Sequence, residues 1–295
     1  MVGEAADSIE SHREAGSIAR VDGLRLFYRH EGPPGGIPVV LTHGIPRSSF
    51  LYRKILPILS RSHSVIAWDL YGAGLSEKPP ERERYSFDEF ERIFGAFLDS
   101  LGIECAHLVC HDVGGPYTMG FAARNQDRVA SLTVMNTTLT VAGFRIPAPV
   151  AAAVVLPPAL QKAFLPDARF VRFLYAYMHR WAHASGFSEA EAEIDQNLLL
   201  RDGGRLGLIR TLQAYRGALA YFRGVHRDLV GFDRPSTVLW GARDPFCRVE
   251  AGRRISTALG CPPPLLIEEA SHYLQEDEPE RVALAILRCI EETER

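Results

Sequence analysis

One stretch constrains the fold of this chain more than any other: an apolar run that ends at an acidic residue and passes directly into helical sequence. The run Ala106–His111 precedes Asp112, and Tyr117–Ala123 has the composition of a helix. A buried strand, a tight turn and a helix in this order make Asp112 project from the end of a parallel sheet. Serine usually holds this apex, with glycines two residues before and after it, where this chain has Cys110 and Gly114.

Asp112 has three interpretations: a catalytic carboxylate, a helix N-cap or a surface turn residue. For the motif in isolation the N-cap is favoured, because aspartate is a preferred capping residue. The rest of the chain decides between them.

The remaining pattern predicts an α/β fold. Asp22-Gly23 separates two strand-like runs as a primed hairpin turn does. Five further short apolar runs alternate with helical segments, which predicts a mostly parallel, doubly wound sheet with ligands beyond the carboxyl ends of its strands. These runs are 38–42, 65–70, 131–136, 237–240 and 265–267, and helices are predicted at 50–59, 87–101 and 281–292.

The pattern changes between about residue 140 and residue 229, where no strand-like run occurs. Aromatic-rich helical segments are predicted there at 164–181, 188–200 and 206–222. We therefore expect a flexible N-terminal tail over 1–16, a core formed by 17–139 and 230–295, and a helical insertion over 140–229.

Composition and charge exclude several classes of protein. The chain has 295 residues and a formal net charge of −3, which gives no reason to expect nucleic acid or an anionic membrane as partner. Five cysteines without CxxC spacing predict reduced thiols in a cytoplasm. The N-terminus lacks the apolar core of a signal peptide. The most apolar segment, 148–160, is too short to span a bilayer and contains three prolines.

Three loops that follow predicted strands carry residues suited to catalysis. Asp112 follows one strand, Asp244 the next to last and His272 the last. Any one of them alone is more often a cap or a satisfied polar group. The order nucleophile, acid and histidine is that of α/β-hydrolases, and three such residues in that order favour the catalytic interpretation of Asp112.

From about Val21 to Glu294 the chain resembles α/β-hydrolases of the haloalkane dehalogenase and epoxide hydrolase group, which use an aspartate nucleophile. The motifs that carry this resemblance are His43-Gly44-Ile45-Pro46, 49–54 (SFLYRK), 69–79 (DLYGAGLSEKP), 111–115 (HDVGG) and 271–276 (SHYLQE). The resemblance implies an α/β-hydrolase fold with a helical cap, a small-molecule substrate, no cofactor and no metal. No Gly-x-Ser-x-Gly occurs, so the serine version of the fold has no nucleophile here.

The resemblance also assigns roles to the residues of the site. Asp112 would form an ester with the substrate, and His272, oriented by Asp244, would activate the water that cleaves it. The backbone N–H groups of Ile45 and Val113 would form the oxyanion hole.

Two positions where related dehalogenases hold the departing halide differ here. The residue after the nucleophile and the third residue of the His-Gly-x-Pro loop supply side-chain N–H donors in those enzymes. This chain has Val113 and Ile45, which have none. Trp181 is the only tryptophan of the expected cap, and it is either a pocket residue or a core aromatic.

Epoxide hydrolases instead protonate the opening oxygen with cap tyrosines. Tyr215 lies about where the second cap tyrosine of that group falls, whereas Tyr175 and Tyr177 are weaker candidates, because the first falls nearer the nucleophile, where Leu160 and Gln161 stand. Epoxide opening is therefore the preferred hypothesis. A dehalogenase with an atypical halide site and a non-catalytic small-ligand-binding homologue are the alternatives.

The remaining histidines are expected near the pocket or in the packing. His111 is expected to pack beneath the nucleophile, and His43 to support the oxyanion loop. His179 and His183 have the spacing of metal ligands on a helix but lack a third ligand, which favours a packed or solvated pair. The sequence leaves substrate identity and oligomeric state open, with a homodimer as one alternative.

Overall fold

The computed structural model describes residues 9–140, 145, 168–184 and 188–293. Eight strands in these residues form one sheet. They are β1 (Gly16–Val21), β2 (Leu24–Glu31), β3 (Val39–Thr42), β4 (Val65–Trp68), β5 (Ala106–His111), β6 (Val129–Met135), β7 (Ser236–Gly241) and β8 (Leu265–Ile267). Their order across the sheet is β1-β2-β4-β3-β5-β6-β7-β8. Every pair from β4 to β8 is parallel, whereas β1–β2 and β2–β4 are antiparallel, so the prediction of a mostly parallel sheet is confirmed.

Helices cover both faces of this sheet. The described α-helices are α1 (Ile9–Glu14), α2 (Leu56–Leu59), α3 (Phe87–Ser100), α4 (Gly114–Arg124), α5 (Ala168–Ala182), α6 (Glu189–Leu200), α7 (Gly204–Ala214), α8 (Ala218–Asp228), α9 (Val249–Leu259), α10 (Leu274–Asp277) and α11 (Pro279–Glu291). Short 3₁₀ turns lie at Ser49–Tyr52, Arg82–Arg84, Gln126–Arg128 and Arg201–Gly203. None of the described helices is long and apolar enough to cross a membrane.

The central strands are buried on both sides, as their unbroken apolar sequence predicts. All residues of β3, β4 and β5 are buried. On one face, Trp68 of β4 stacks against Phe94 and Phe97 of α3, with ring centroids 5.7 and 4.8 Å away. On the other face, α2 and α11 pack against β3, β4 and β7 through a second apolar cluster. This double cover leaves the carboxyl ends of the strands as the place for polar side chains.

The hairpin turn is confirmed, because Asp22 and Gly23 both adopt positive φ, +48° and +80°, as a primed two-residue turn requires. In its described part, however, the expected N-terminal tail is a helix. Within α1, His12 is only 3% exposed, lies between the rings of Phe27 and Phe50 and contacts Ser49 Oγ at 3.2 Å. These buried contacts explain why this segment forms a helix, which its polar sequence does not indicate.

Two predicted helices are interrupted. The helix expected over 50–59 is a 3₁₀ turn followed by α2, because Pro57 at the start of α2 has no N–H to donate to Arg53. The helix expected over 206–222 divides into α7 and α8 around Gly217, a residue that weakens helices. The described helices between β6 and β7 are α5 to α8; the expected start of the first of them, at residue 164, lies outside the described residues.

Candidate active site

Asp112 occupies a strained turn between β5 and α4. Its φ is +49°, a left-handed conformation that is rare for a residue with a side chain and often marks a functional site. Val113, not Asp112, holds the N-cap position of α4, so the N-cap interpretation of Asp112 is wrong. Asp112 Oδ2 instead accepts a hydrogen bond from the backbone N–H of Ile45 at 2.8 Å. The strand and helix on either side thus hold a carboxylate at the sheet edge.

Two glycines allow the chain to approach this carboxylate. A Cβ on Gly44 would lie 2.4 Å from Asp112 Oδ2, and a Cβ on Gly115 would lie 2.2 Å from Thr137 Oγ1. The Thr137 hydroxyl donates to the backbone carbonyl of Asp112 at 2.6 Å and fixes the turn from the β6 side. Neither position therefore has room for a Cβ atom. At Gly44, the missing side chain leaves space for the Asp112 carboxylate against the Ile45 loop.

His272 and Asp244 complete the site. His272 Nδ1 donates to Asp244 Oδ2 at 2.8 Å, and the other ring nitrogen, Nε2, lies 4.0 Å from Asp112 Oδ1. Asp244 Oδ1 accepts from the backbone N–H groups of Phe246 and Cys247 at 2.7 and 3.0 Å. The structure thus brings together the three residues that the sequence singled out, with the imidazole between the two carboxylates.

The charges of the site follow from burial and from these pairings. Burial raises the pKa of Asp112, although His272 and the N–H groups of Ile45 and Val113 favour its ionised form. Burial opposes a charge on His272, but Asp244 outweighs it and raises the pKa of the imidazole above its ordinary value. Both backbone donors assigned to the oxyanion hole therefore bear on the Asp112 carboxyl, as the resemblance implies.

Asn136, directly after β6, is a site residue that the sequence analysis missed. Its Nδ2 donates to Asp244 Oδ2 at 2.6 Å and to the Ser271 carbonyl at 3.3 Å. Its Oδ1 accepts from the backbone N–H of Gly241 at 2.9 Å, and its backbone carbonyl accepts from the Asp112 N–H at 3.2 Å. The available signal was a polar residue at the end of an apolar run, as at Asp112, but Asn136 was assigned to the strand itself.

His43 and His111 support the catalytic loops. His43 Nε2 accepts from the Leu70 N–H at 3.0 Å and Nδ1 donates to the Gly44 carbonyl at 2.7 Å, which fixes the tautomer of a ring whose pKa burial lowers. His111 Nε2 donates to the His272 carbonyl at 2.9 Å, and burial lowers its pKa well below the ordinary value. Both rings are buried.

The three candidate tyrosines have different surroundings. Tyr215 packs edge-on against Phe87 and Phe222, with ring centroids 5.1 and 5.9 Å away, and burial together with the negative charge of Asp112 raises its pKa well above the ordinary value. Tyr175 is buried, accepts from Arg47 Nη1 at 3.2 Å and donates to Asp195 Oδ2 at 2.8 Å. Tyr177 is half-buried, with its ring 6.4 Å from that of the exposed Phe173. Of these three tyrosines, Tyr215 is the one whose pKa the charge of Asp112 raises.

Trp181 is not brought to the triad as a pocket side chain. Its side chain is 54% exposed, and the guanidinium of Arg180 lies over its ring. The end of α5 places the backbone carbonyl of Trp181 near the site instead, where it accepts from Ser271 Oγ at 3.3 Å. The core-aromatic interpretation is also wrong, because the indole lies at the surface.

The His179 and His183 pair is packed, with ring centroids 4.8 Å apart. Among the described residues, one group has the geometry of a possible metal cluster: Asp244, Cys247 and His272. Asp244 and His272 already hydrogen-bond each other, and burial raises the pKa of Cys247 well above its ordinary value, which favours a thiol over a metal-binding thiolate. This donor set is suited to a catalytic acid and base.

Comparison with known proteins identifies the family of this chain. A family model described as "alpha/beta hydrolase fold" matches residues 37–279. Haloalkane dehalogenase 2 of Mycobacterium tuberculosis is 31% identical over 272 residues, covering 89% of this chain and 90% of that protein.

Two solved structures share the fold. Haloalkane dehalogenase DbeA from Bradyrhizobium elkani superimposes with a TM-score of 0.80 at 24% identity, covering 95% of this chain and 98% of the other. The epoxide hydrolase CorEH superimposes with a TM-score of 0.76 at 21% identity, covering 94% and 98%.

Proposed function

This chain belongs to the α/β-hydrolase fold family, within its group of haloalkane dehalogenases and epoxide hydrolases, and is a hydrolase; we propose that it opens an epoxide of a small organic molecule to a diol by way of an ester on Asp112. The observation that carries this proposal is the position of Asp112, a carboxylate at positive φ between the Ile45 N–H and the His272 ring.

The two oxygens of Asp112 suit different tasks. Oδ1 faces His272 and would attack a ring carbon of the epoxide, forming a C–O bond to Asp112 as the ring C–O bond breaks. The opening oxygen would take the proton of the Tyr215 hydroxyl, which is uncharged at neutral pH, as an ordinary phenol is. Oδ2, bonded to the Ile45 N–H, then becomes the ester carbonyl oxygen.

Hydrolysis of the ester would use the other half of the site. Water between Nε2 of His272 and the Asp112 carboxyl carbon would give a proton to Nε2 while its oxygen adds to that carbon. Negative charge then develops on Oδ2, where the Ile45 and Val113 N–H groups stabilise it. Collapse releases the diol as His272 returns the proton to the departing alkoxide, and the Asp112 carboxyl proton restores Tyr215.

Dehalogenation is the second candidate, favoured by the identity to haloalkane dehalogenase 2. The same ester chemistry would serve it, with halide as leaving group. Its difficulty is the halide site, because Val113 and Ile45 offer only backbone N–H groups, which already act on Asp112.

The unpaired thiols of all five cysteines support the expected reducing, cytoplasmic compartment.

Intact-mass spectrometry of His272→Gln, exposed separately to epoxides and haloalkanes, tests the proposal. Without the base, the ester should accumulate, and a mass gain equal to the whole epoxide is expected. The same gain must be absent from Asp112→Asn. A gain equal to the alkyl group without its halogen, with none from epoxides, would transfer the assignment to dehalogenation. No adduct from either panel, together with tight binding of a small ligand, would favour the non-catalytic alternative.

A further inference from the structure

Arg47 is a buried cation two residues after the Ile45 amide. Its side chain is 2% exposed, and it forms an ion pair with Asp195 of α6, which is 1% exposed. Burial opposes this charge, but Asp195 holds the pKa of Arg47 above its ordinary value. A fully buried ion pair carries a large desolvation cost, which weakens the case that it is present for stability alone.

Arg47 lies in the loop that contains Ile45, and its guanidinium contacts the loop that contains His272, as well as α5, the residue His183 that follows α5, and α6. Its carbon lies 4.3 Å from the centroid of the Tyr273 ring, and Tyr273 directly follows the base, His272. On the helix side, Arg47 Nη1 donates to the Tyr175 hydroxyl at 3.2 Å, and Nη2 donates to His183 Nε2 at 2.6 Å. Burial lowers the pKa of His183, which keeps that ring neutral and able to accept.

Tyr273 joins the nucleophile side of the site to the base side. Its hydroxyl donates to the Ile45 carbonyl at 3.4 Å, and its ring stacks edge-on against His272, with centroids 4.9 Å apart. Its backbone N–H donates to the Ala182 carbonyl at the end of α5, at 3.2 Å. Fixing the Tyr273 ring therefore fixes the distance between the Ile45 loop and the His272 loop.

We infer that the buried Arg47–Asp195 pair is a positioning device, which clamps Tyr273 between the two catalytic loops and so holds the Ile45 N–H and the His272 ring in register with Asp112. In the described contacts, neither member of the pair touches Asp112 or the His272 ring nitrogens. They act on the reaction through Tyr273. The kinetic test of this inference rests on the proposed function, whereas the structural test does not.

The chain contains a matched control for this pair. Glu191 lies one turn before Asp195 on α6 and forms an ion pair with Arg53, which also binds Glu276 of α10. In the described contacts this second pair does not touch the Ile45 loop or the Tyr273 ring, and its link to Tyr273 runs through Glu276, whose backbone N–H donates to the Tyr273 carbonyl at 2.8 Å. Glu191→Gln therefore loosens the docking of α6 alone, and its glutamine keeps an oxygen for the Ser188 cap.

Kinetic comparison of Asp195→Asn with Glu191→Gln tests the inference. Asp195→Asn should lower kcat about 10- to 100-fold, with KM little changed, because small displacements of catalytic groups cost rate at this scale. Arg47→Lys, which keeps a cation beside Asp195 but lacks the planar fork, should retain part of the rate. The amount of adduct formed in the first turnover measures the fraction of protein that is active. A fall in kcat caused by unfolding can therefore be distinguished from one caused by displaced groups. Equal kcat in Asp195→Asn and Glu191→Gln would overturn the inference.

A measurement without substrate separates this inference from the proposed function. In proton–nitrogen NMR spectra, Asp195→Asn should shift the Ile45 amide and the His272 Nδ1 proton, whereas Glu191→Gln should leave both in place. If Asp195→Asn fails to fold, the double variant Arg47→Met with Asp195→Leu is used, because it removes both charges and leaves no unpaired buried charge from this pair. Unmoved signals in the folded variant would overturn the inference even if no epoxide or haloalkane is turned over. Failure of the wild-type chain to form any adduct would refute the proposed function alone.

Discussion

Replacing Asn136 by glycine removes an amide that holds three partners and leaves the backbone free to keep its φ of +28°. The buried N–H of Gly241 loses its acceptor, which costs about 1–3 kcal/mol. Asp244 loses a hydrogen bond to a charged group, worth about 1.5–3 kcal/mol, but retains those from Phe246, Cys247 and His272. Because the loops relax and the two costs are not additive, we expect a loss of about 3 kcal/mol of unfolding free energy.

Thermal unfolding and rapid-quench kinetics together check this expectation. A loss of about 3 kcal/mol lowers Tm by about 5 °C in a chain of this size. Ester hydrolysis should slow about tenfold, because Asp244 orients the base, while ester formation on Asp112 should change little. Asn136→Ala should be less stable than Asn136→Gly, because alanine is strained at positive φ. An unchanged Tm with unchanged hydrolysis in Asn136→Gly would refute the role assigned to this amide.

Three further predictions concern the pH dependence, the acid and the turn. His272 must be neutral to accept a proton, and its pKa is raised above the ordinary value of 6.5. Ester hydrolysis should therefore be lost as the pH falls through a value above 6.5. A rapid-quench pH series in which hydrolysis persists well below pH 6.5 would contradict this. Tyr215→Phe should lower epoxide turnover about 100-fold while Tyr177→Phe leaves it unchanged, as steady-state assays of both variants would show. Gly44→Ala places a methyl group against Asp112 Oδ2 and should abolish adduct formation in a folded protein, measured by intact mass and circular dichroism.

Local sequence was enough for the sheet and for the triad. Buried parallel strands require continuous apolar runs, and a polar residue directly after such a run must lie at the carboxyl edge of the sheet. Asp112 follows β5 directly, whereas Asp244 and His272 lie in the loops that follow β7 and β8, so all three were expected at the same edge of the sheet. The same rule applied to Asn136 would have found it.

Helix continuity and order at the N-terminus were less predictable. Hydrophobic spacing alone predicted one helix over 50–59, while Pro57 divides it. The polar composition of α1 concealed the burial of His12 against Phe27 and Phe50, since a single buried residue leaves no periodic signal.

The sequence by itself determined the fold class, the candidate nucleophile and the order of the three candidate catalytic residues, because each depends on short-range pattern. Only the tertiary structure decided that Tyr215 packs against Phe87 and Phe222, that Trp181 lies at the surface, and that Arg47 meets Asp195 across 148 positions of sequence. The physical reason is that the packing of the helices decides whether an aromatic or charged residue on an amphipathic helix is buried or exposed. Burial, charge pairing and the register of the two catalytic loops are properties of that packing.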